Sequence, residues 1–346
     1  MMRKTFIWIT LVLSLVLSVG ITGYSASETR TVTDMAGRTV VIPKTVNRVV
    51  LVHGTCNVPS IMSAAGVADK LIAGLCFRFP GEDLQIKVEP GYAKLNTFKP
   101  NSNGMVNIEE LLTLKPDVVF VWKENIKNID AIQAAGIPVV VLYILSWDDV
   151  KTGTRLIGDV MNVSQQSRRL IAYMDGNAKK IKTKVAKIPP EKRKKVLFVD
   201  NPKPLTVPGN EGFNGYMIET CGGVSVTSKL TGYFAETSLE SVYAANPDII
   251  IVSGFQRNGY ESMLINPEWT GLRAIKNKQI YLAPRGVFMW NKPAVEAGLF
   301  LLWQTSKIYP ELVSEQEVRK EAVAFYQKFF NYNLSKEELD GLFDHP

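Results

Sequence analysis

From Arg30 to Val46, RTVTDMAGRTVVIPKTV, polar and apolar residues alternate around a turn at Ala36-Gly37, a pattern that predicts a β-hairpin. The period then changes. NRVVLVHG (47–54) reads as a buried strand entering a loop, VPSIMSAAGVADK (58–70) has helical spacing that stops at Gly66, and LIAGLCF (71–77) is the next strand. A polar loop rich in Gly and Pro runs from Arg78 to Pro100. Asn107 then caps a helix, IEELLTLK, with acidic residues in the first turn, where the helix dipole favours them. Pro116-Asp117 ends that helix and DVVFVW follows as a strand. A helix over 125–135 ending at Gly136 leads to the strand IPVVVLY. Strands apolar on both faces that alternate with helices predict a mainly parallel sheet covered by helices.

Between Trp147 and Ile188 strand signal fades. DDVKTGTRLIGDVM reads as one helix, and 164–188 as a longer one of about 25 residues, about 37 Å at 1.5 Å per residue, ending at Pro189-Pro190. The earlier order then restarts. KKVLFVD (194–200) is a strand, NPKPLTVPGNEG a loop, and a helix ends in ETCGG (219–223). VTS, a polar loop and the helix TSLESVYAAN lead to Pro247-Asp248 and the strand IIIVSG. NGYESMLINPEW reads as a helix, QIYLAP (279–284) as a strand, and the chain from Ala294 onward as helical. LLTLKPDVVFVW (111–122) and VYAANPDIIIVS (242–253) thus stand at corresponding places, and the match reaches upstream. Glu109 lies seven residues before Pro116 and Glu240 seven before Pro247. The expected fold is α/β: two Rossmann-like lobes with mainly parallel sheets, at 30–163 and 191–346, joined by one long rigid helix within 164–190, with a ligand cleft between the lobes.

Composition adds a destination. Met1-Met2-Arg3-Lys4 is basic, Phe6 to Ile21 is almost wholly apolar, and small residues follow in TGYSAS, so 1–26 is expected to be a secretory signal peptide. An uncleaved membrane anchor is the alternative reading of the same stretch. The expected location is therefore periplasmic or cell-surface. Cys56, Cys76 and Cys221 include no CxxC pair, which excludes a disulfide framework or zinc module and leaves either one Cys56–Cys76 bridge or free thiols. Without Arg3 and Lys4 the chain holds 38 basic and 33 acidic residues, a balance of +5. The basic cluster EKRKK (191–195) lacks interleaved aromatics, so nucleic acid is not an expected partner.

Loops leaving the strands carry the candidate chemistry, because an open α/β sheet binds ligands beyond its carboxyl ends. They present His53, Arg78, Trp122, Asn210, Phe213, Arg257, Arg285 and Trp290. Guanidinium forks match carboxylates, catecholates and oxyanions, and aromatics cover a flat or organic part. VPGNEGF adds backbone N–H groups at a helix start. Each residue also has a plain packing or surface reading. GxSxG, HExxH, Walker A and a GxGxxG between strand and helix are all absent, and the two histidines, His53 and His345, lie at opposite ends of the chain. No catalytic residue, protein metal site or cofactor is expected.

TVTDMAGRTVVIPKTVNRVV, VNIEELLTLKPDVVFVW and TSLESVYAANPDIIIVSG together resemble the periplasmic substrate-binding proteins of ABC importers, in the helical-backbone group that serves ferric siderophores, haem and cobalamin. The resemblance covers essentially the whole chain after residue 26. It implies a binding protein, not an enzyme, that acts as a monomer and delivers its ligand to a membrane permease with a cytoplasmic ATPase. In that group one glutamate per lobe pairs with permease arginines, which places the docking role on Glu109 and Glu240, with Glu110 adjacent. A ferric siderophore is the expected ligand. Molybdate or tungstate, and haem or cobalamin, are the alternatives, GVFMWNKPAVEAGLFLLW being similar both to members that take up iron chelates and to a subgroup that takes up molybdate or tungstate. A metal chelatase acting on a tetrapyrrole is the reading from another class, with His53 as its candidate base.

Overall fold

The computed structural model describes residues 28–52, 55–74, 83–95 and 105–343. The expected signal peptide at 1–26, His53, Cys76, Arg78 and His345 lie outside them.

The alternating opening forms the hairpin β1 (Thr29–Thr33) and β2 (Thr39–Pro43), antiparallel around Gly37, whose φ of 76° is the left-handed turn that glycine enters at little cost. Its DMAGR turn is a clamp. Buried Asp34 accepts from the Ala36 and Arg38 backbone N–H groups through Oδ1, both at 3.0 Å, and from Arg38 Nη2 at 2.7 Å through Oδ2. The same Oδ2 accepts the Val141 N–H at 3.1 Å, which fixes the hairpin to the sheet behind it.

That sheet is built from β3 (Val49–Leu51), β4 (Leu71–Gly74), β5 (Val118–Trp122) and β6 (Val139–Leu142), all parallel, in the order β4-β3-β5-β6. Helices α1 (Val58–Ala64), α2 (Asp83–Val88), α3 (Ile108–Thr113), α4 (Ile126–Ala134) and α5 (Trp147–Val160) connect and follow them. Next comes α6 (Ser164–Val185), which carries the chain onward. The second parallel sheet uses β7 (Lys195–Val199), β10 (Val224–Ser225), β12 (Ile249–Val252) and β13 (Ile280–Leu282) in the order β10-β7-β12-β13. Counted by appearance, both sheets read second, first, third, fourth, so the repeat seen in the sequence is a repeat of topology.

The carboxylate of each Pro-Asp step ties its half together. Asp117 Oδ2 accepts the Asn47 and Arg48 N–H groups at 2.7 and 3.0 Å, and Asp248 Oδ2 accepts the Lys195 N–H at 2.8 Å. Each acid thus anchors the start of the first strand of its own sheet.

One expected loop is folded. NPKPLTVP forms β8 (Asn201–Pro202) and β9 (Leu205–Pro208), which with β11 (Phe234–Glu236) make a small antiparallel sheet. Two strands this short, separated by two residues, leave too little alternation to read. Helices α7 (Phe213–Thr220), α8 (Leu239–Ala245), α9 (Arg257–Ile265), α10 (Pro267–Thr270) and α11 (Arg273–Lys276) complete this half. NGYESMLINPEW is therefore two helices rather than one, because Pro267 removes a donor and forces extended backbone on Asn266.

Core packing explains the apolar runs. Val118, Val119, Phe120 and Val121 are fully buried; Val118 and Phe120 enter the central cluster, Val119 and Val121 the outer one. The second sheet divides the same way, with Val196 and Phe198 inward and Leu197 and Val199 outward. Each such side chain contributes about 1.5–3 kcal/mol by leaving water. The inner faces share one core with Leu170, Met174, Ala178, Ile181 and Val185 of α6 and with α12 (Ala297–Ile308). The connecting helix is thus embedded between the sheets along one stripe, with its polar face outside. Helices α13 (Glu315–Phe330) and α14 (Lys336–Phe343) cross back to the first half, where Glu338 pairs with Lys87 of α2 at 2.9 Å.

Candidate functional site between the sheets

A parallel sheet of this order has one place where the chain leaves neighbouring strands in opposite directions, and the crevice beyond their carboxyl ends is where a ligand fits. Here that place lies between β3 and β5 in one sheet and between β7 and β12 in the other. Two hydrogen bonds bring these edges face to face. Asn57 Nδ2, before α1, donates to the Pro293 carbonyl at 2.7 Å, and the Tyr233 hydroxyl donates to the Leu145 carbonyl at 3.2 Å. Burial, with Asp200 and Asp149 nearby, pushes the Tyr233 phenol up, so it remains a donor.

On the first wall Trp122 ends β5 half-buried, packs with its ring tilted against Tyr143 at 5.4 Å between centres, and donates its indole N–H to Glu124. Lys123 lies 5.1 Å over the Tyr143 ring. On the second wall Arg285 follows β13 in a tight loop closed by its bridge to Met289. Gly254, just past β12, leaves room for it: a Cβ there would sit 3.0 Å from Arg285 Cγ and 2.8 Å from the Ala283 carbonyl. Arg257 opens α9 on the same edge, exposed.

The Arg285 loop has a buried support. Glu296, with no exposed surface, accepts the Val287 and Phe288 N–H groups at 2.9 and 2.6 Å and the Tyr326 hydroxyl as well. Burial pushes its carboxyl up to about 7, against the pull of these donors. Trp290 belongs to this support rather than to the cleft. It is fully buried, and its indole N–H donates to Tyr326 at 3.3 Å. Phe213 is likewise buried in the core, and exposed Asn210 accepts the Gly232 N–H at 3.0 Å, which shapes its own loop. The backbone donors expected in VPGNEGF are already used: the N–H groups of Gly209, Asn210, Glu211 and Gly212 all bond to carbonyls of this chain.

Two residues that sequence reasoning did not single out stand at the crevice. Asp200 immediately follows β7, and Lys292 reaches it from the loop after β13, Nζ to Oδ1 at 3.3 Å. Lys292 also lies 5.5 Å from the Phe234 ring centre and 5.7 Å from that of Phe255. Burial pushes the Asp200 carboxyl up while Lys292 pulls it down. An acid directly after a strand of four buried residues was the available sequence signal for this pair. Among the described residues, no group of three or more His, Cys, Asp or Glu side chains could hold a metal ion, and no helix is long and apolar enough to cross a membrane.

Glu109 and Glu240 occupy the same helical position. Asn107 caps α3 through the Glu110 N–H and Ser238 caps α8 through the Ser241 N–H, so each glutamate is the second residue of its helix. Both are exposed, and among the described residues neither forms an ion pair. Because helices between parallel strands run against them, these first turns lie at the carboxyl edge, on the cleft side. Its own backbone N–H, and then the Ser238 side chain, hold the Glu240 carboxyl below its usual range.

Comparison with known proteins agrees with this arrangement. The family model for periplasmic binding proteins matches residues 82–286. The molybdate-binding protein MolA of Haemophilus influenzae is 29% identical over 333 residues, covering 89% of this chain and 92% of that protein. A vitamin B12-binding protein of Yersinia pestis is 22% identical over 195 residues, 56% of this chain and 65% of that protein. Among solved structures, a periplasmic solute-binding protein from Veillonella parvula superposes with a TM-score of 0.79 at 28% identity, covering 91% of this chain and 97% of that one. MolA bound to molybdate superposes with a TM-score of 0.77 at 26% identity, covering 88% and 99%.

Proposed function

This chain belongs to the periplasmic binding protein family, and from that premise we propose that it captures a tetrahedral oxyanion of the molybdate and tungstate class between its two sheets. It is a solute-binding protein for an ABC transporter, not an enzyme. The observation that carries the ligand assignment is the match to a molybdate-binding protein along most of both chains. The chemistry agrees with it. Arg285 stands on a loop rigidly backed by Glu296, and a planar guanidinium offers paired donors to two oxygens of one anion.

The ferric siderophore expected from the sequence becomes the second reading. The rings of Trp122, Tyr143, Phe234 and Phe255 favour it, since a catecholate chelate presents flat faces that a bare oxyanion lacks. Titrating the chain with molybdate, tungstate, sulfate and a ferric tris-catecholate, read by tryptophan fluorescence, separates the two. Saturable quenching by molybdate and tungstate is expected; a response to the ferric chelate alone would overturn the oxyanion assignment.

Delivery is assigned to Glu109 and Glu240. Their support is positional: two exposed carboxylates at one equivalent helical site in each half, both on the cleft side, form a two-point code for basic residues of a permease.

A further inference from the structure

The geometry points to Lys292 as a second cation that holds the anion, and to Asp200 as the group the anion must displace from it. The inference rests on the oxyanion reading above and says how that site would choose among anions.

The Lys292–Asp200 contact is a poor ion pair by its own geometry. At 3.3 Å it is longer than the roughly 2.7–2.9 Å of a strong charge-assisted bond. Among the described residues Asp200 Oδ2 is buried without a hydrogen-bond partner, which leaves this carboxylate less than fully satisfied. On the other side, Phe234 and Phe255 attract the ammonium through their ring faces but offer its N–H groups no lone pairs. The base of the lysine, by contrast, is fixed. Its neighbour Asn291 is fully buried and bonds both Ser253 Oγ, at 3.1 Å, and the Gly254 N–H, at 3.3 Å. A firmly anchored stem therefore carries a loosely satisfied head, beyond the carboxyl ends of β7 and β12, seven residues along the same loop from Arg285.

An oxyanion oxygen free to approach that head can reach full hydrogen-bond distance, which the Asp200 carboxylate at 3.3 Å does not, but Asp200 opposes the anion's approach. Only a ligand with enough charge to take Lys292 away from Asp200 gains the contact. The pair thus favours a tetrahedral dianion over a monoanion of the same shape.

Tungstate and perrhenate provide that comparison, being tetrahedral oxyanions of similar size with two charges and one. Calorimetric titration of the wild-type chain, K292M and D200N, each checked by thermal unfolding, gives the test. K292M should bind tungstate about tenfold or more weakly. D200N should narrow the preference for tungstate over perrhenate by about tenfold, because the lysine then attracts any anion. A folded K292M that binds tungstate within about twofold of wild type, or a D200N with an unchanged preference, overturns the assignment. If K292M does not fold, the D200N ratio decides alone. A wild type that ignores tungstate and binds a ferric tris-catecholate would sink the oxyanion reading by itself. K292M binding that chelate as tightly as wild type would then sink the lysine assignment too, and clear weakening would keep it.

Discussion

Glu296→Gln tests whether the support beneath Arg285 is a buried ionisable group. In the folded chain burial raises the Glu296 carboxyl to about 7, against an ordinary value of 4.5. Between those two values the folded state therefore holds a proton that the unfolded chain has released. Stability from this group is fully present below about pH 4.5, falls as pH rises, and is gone above about pH 7. At about 1.4 kcal/mol per unit, the whole swing is about 3 kcal/mol. Glutamine has the same shape and does not titrate, so its curve lacks this fall. Urea unfolding of both proteins at a series of pH values is the assay. From pH about 4.5 to about 8 the gap between them should move by about 3 kcal/mol in favour of the variant. Parallel curves across that range would mean instead that three donors hold the carboxylate ionised throughout.

Glu109→Ala combined with Glu240→Ala should abolish uptake in cells while ligand affinity in the purified protein stays within about twofold, because rim charges of this kind act on partner docking. Loss of ligand binding would place the two glutamates in the pocket instead. Asp34→Asn turns one acceptor of a buried clamp into a donor facing backbone N–H groups, and should cost about 3–5 kcal/mol in urea unfolding; a loss below about 1 kcal/mol would show that the hairpin is held by other contacts.

The fold was legible where the sequence states its period strongly. Buried parallel strands such as VVFVW and IIIV, and helices stopped by Gly66, Gly136 and Gly222, follow from residue pattern and left-handed caps alone. The doubled Pro-Asp phrase was legible as a repeat but not in its role. Its acids reach back to residues some fifty to seventy positions away, to the starts of β3 and β7, and no local pattern reports such a contact. The candidate site was legible only in part, for the same reason. Trp122 is the last residue of β5 and Arg285 lies three residues past β13, so their nearness to the carboxyl edges was readable from the strand pattern. Trp290, in the same loop as Arg285, points into the core, because Tyr326 of α13 returns from the far end of the chain to meet it. Lys292 and Asp200 become a pair only in three dimensions, 92 residues apart.

In the proposed mode of binding an oxyanion is held between the two sheets at the carboxyl ends of β7 and β12. Crystals of the chain grown with molybdate, measured at the molybdenum absorption edge, test it most directly. One strong anomalous peak is expected in that crevice, within hydrogen-bond reach of Arg285. A peak confined to the protein surface, or none at saturating molybdate, would contradict it.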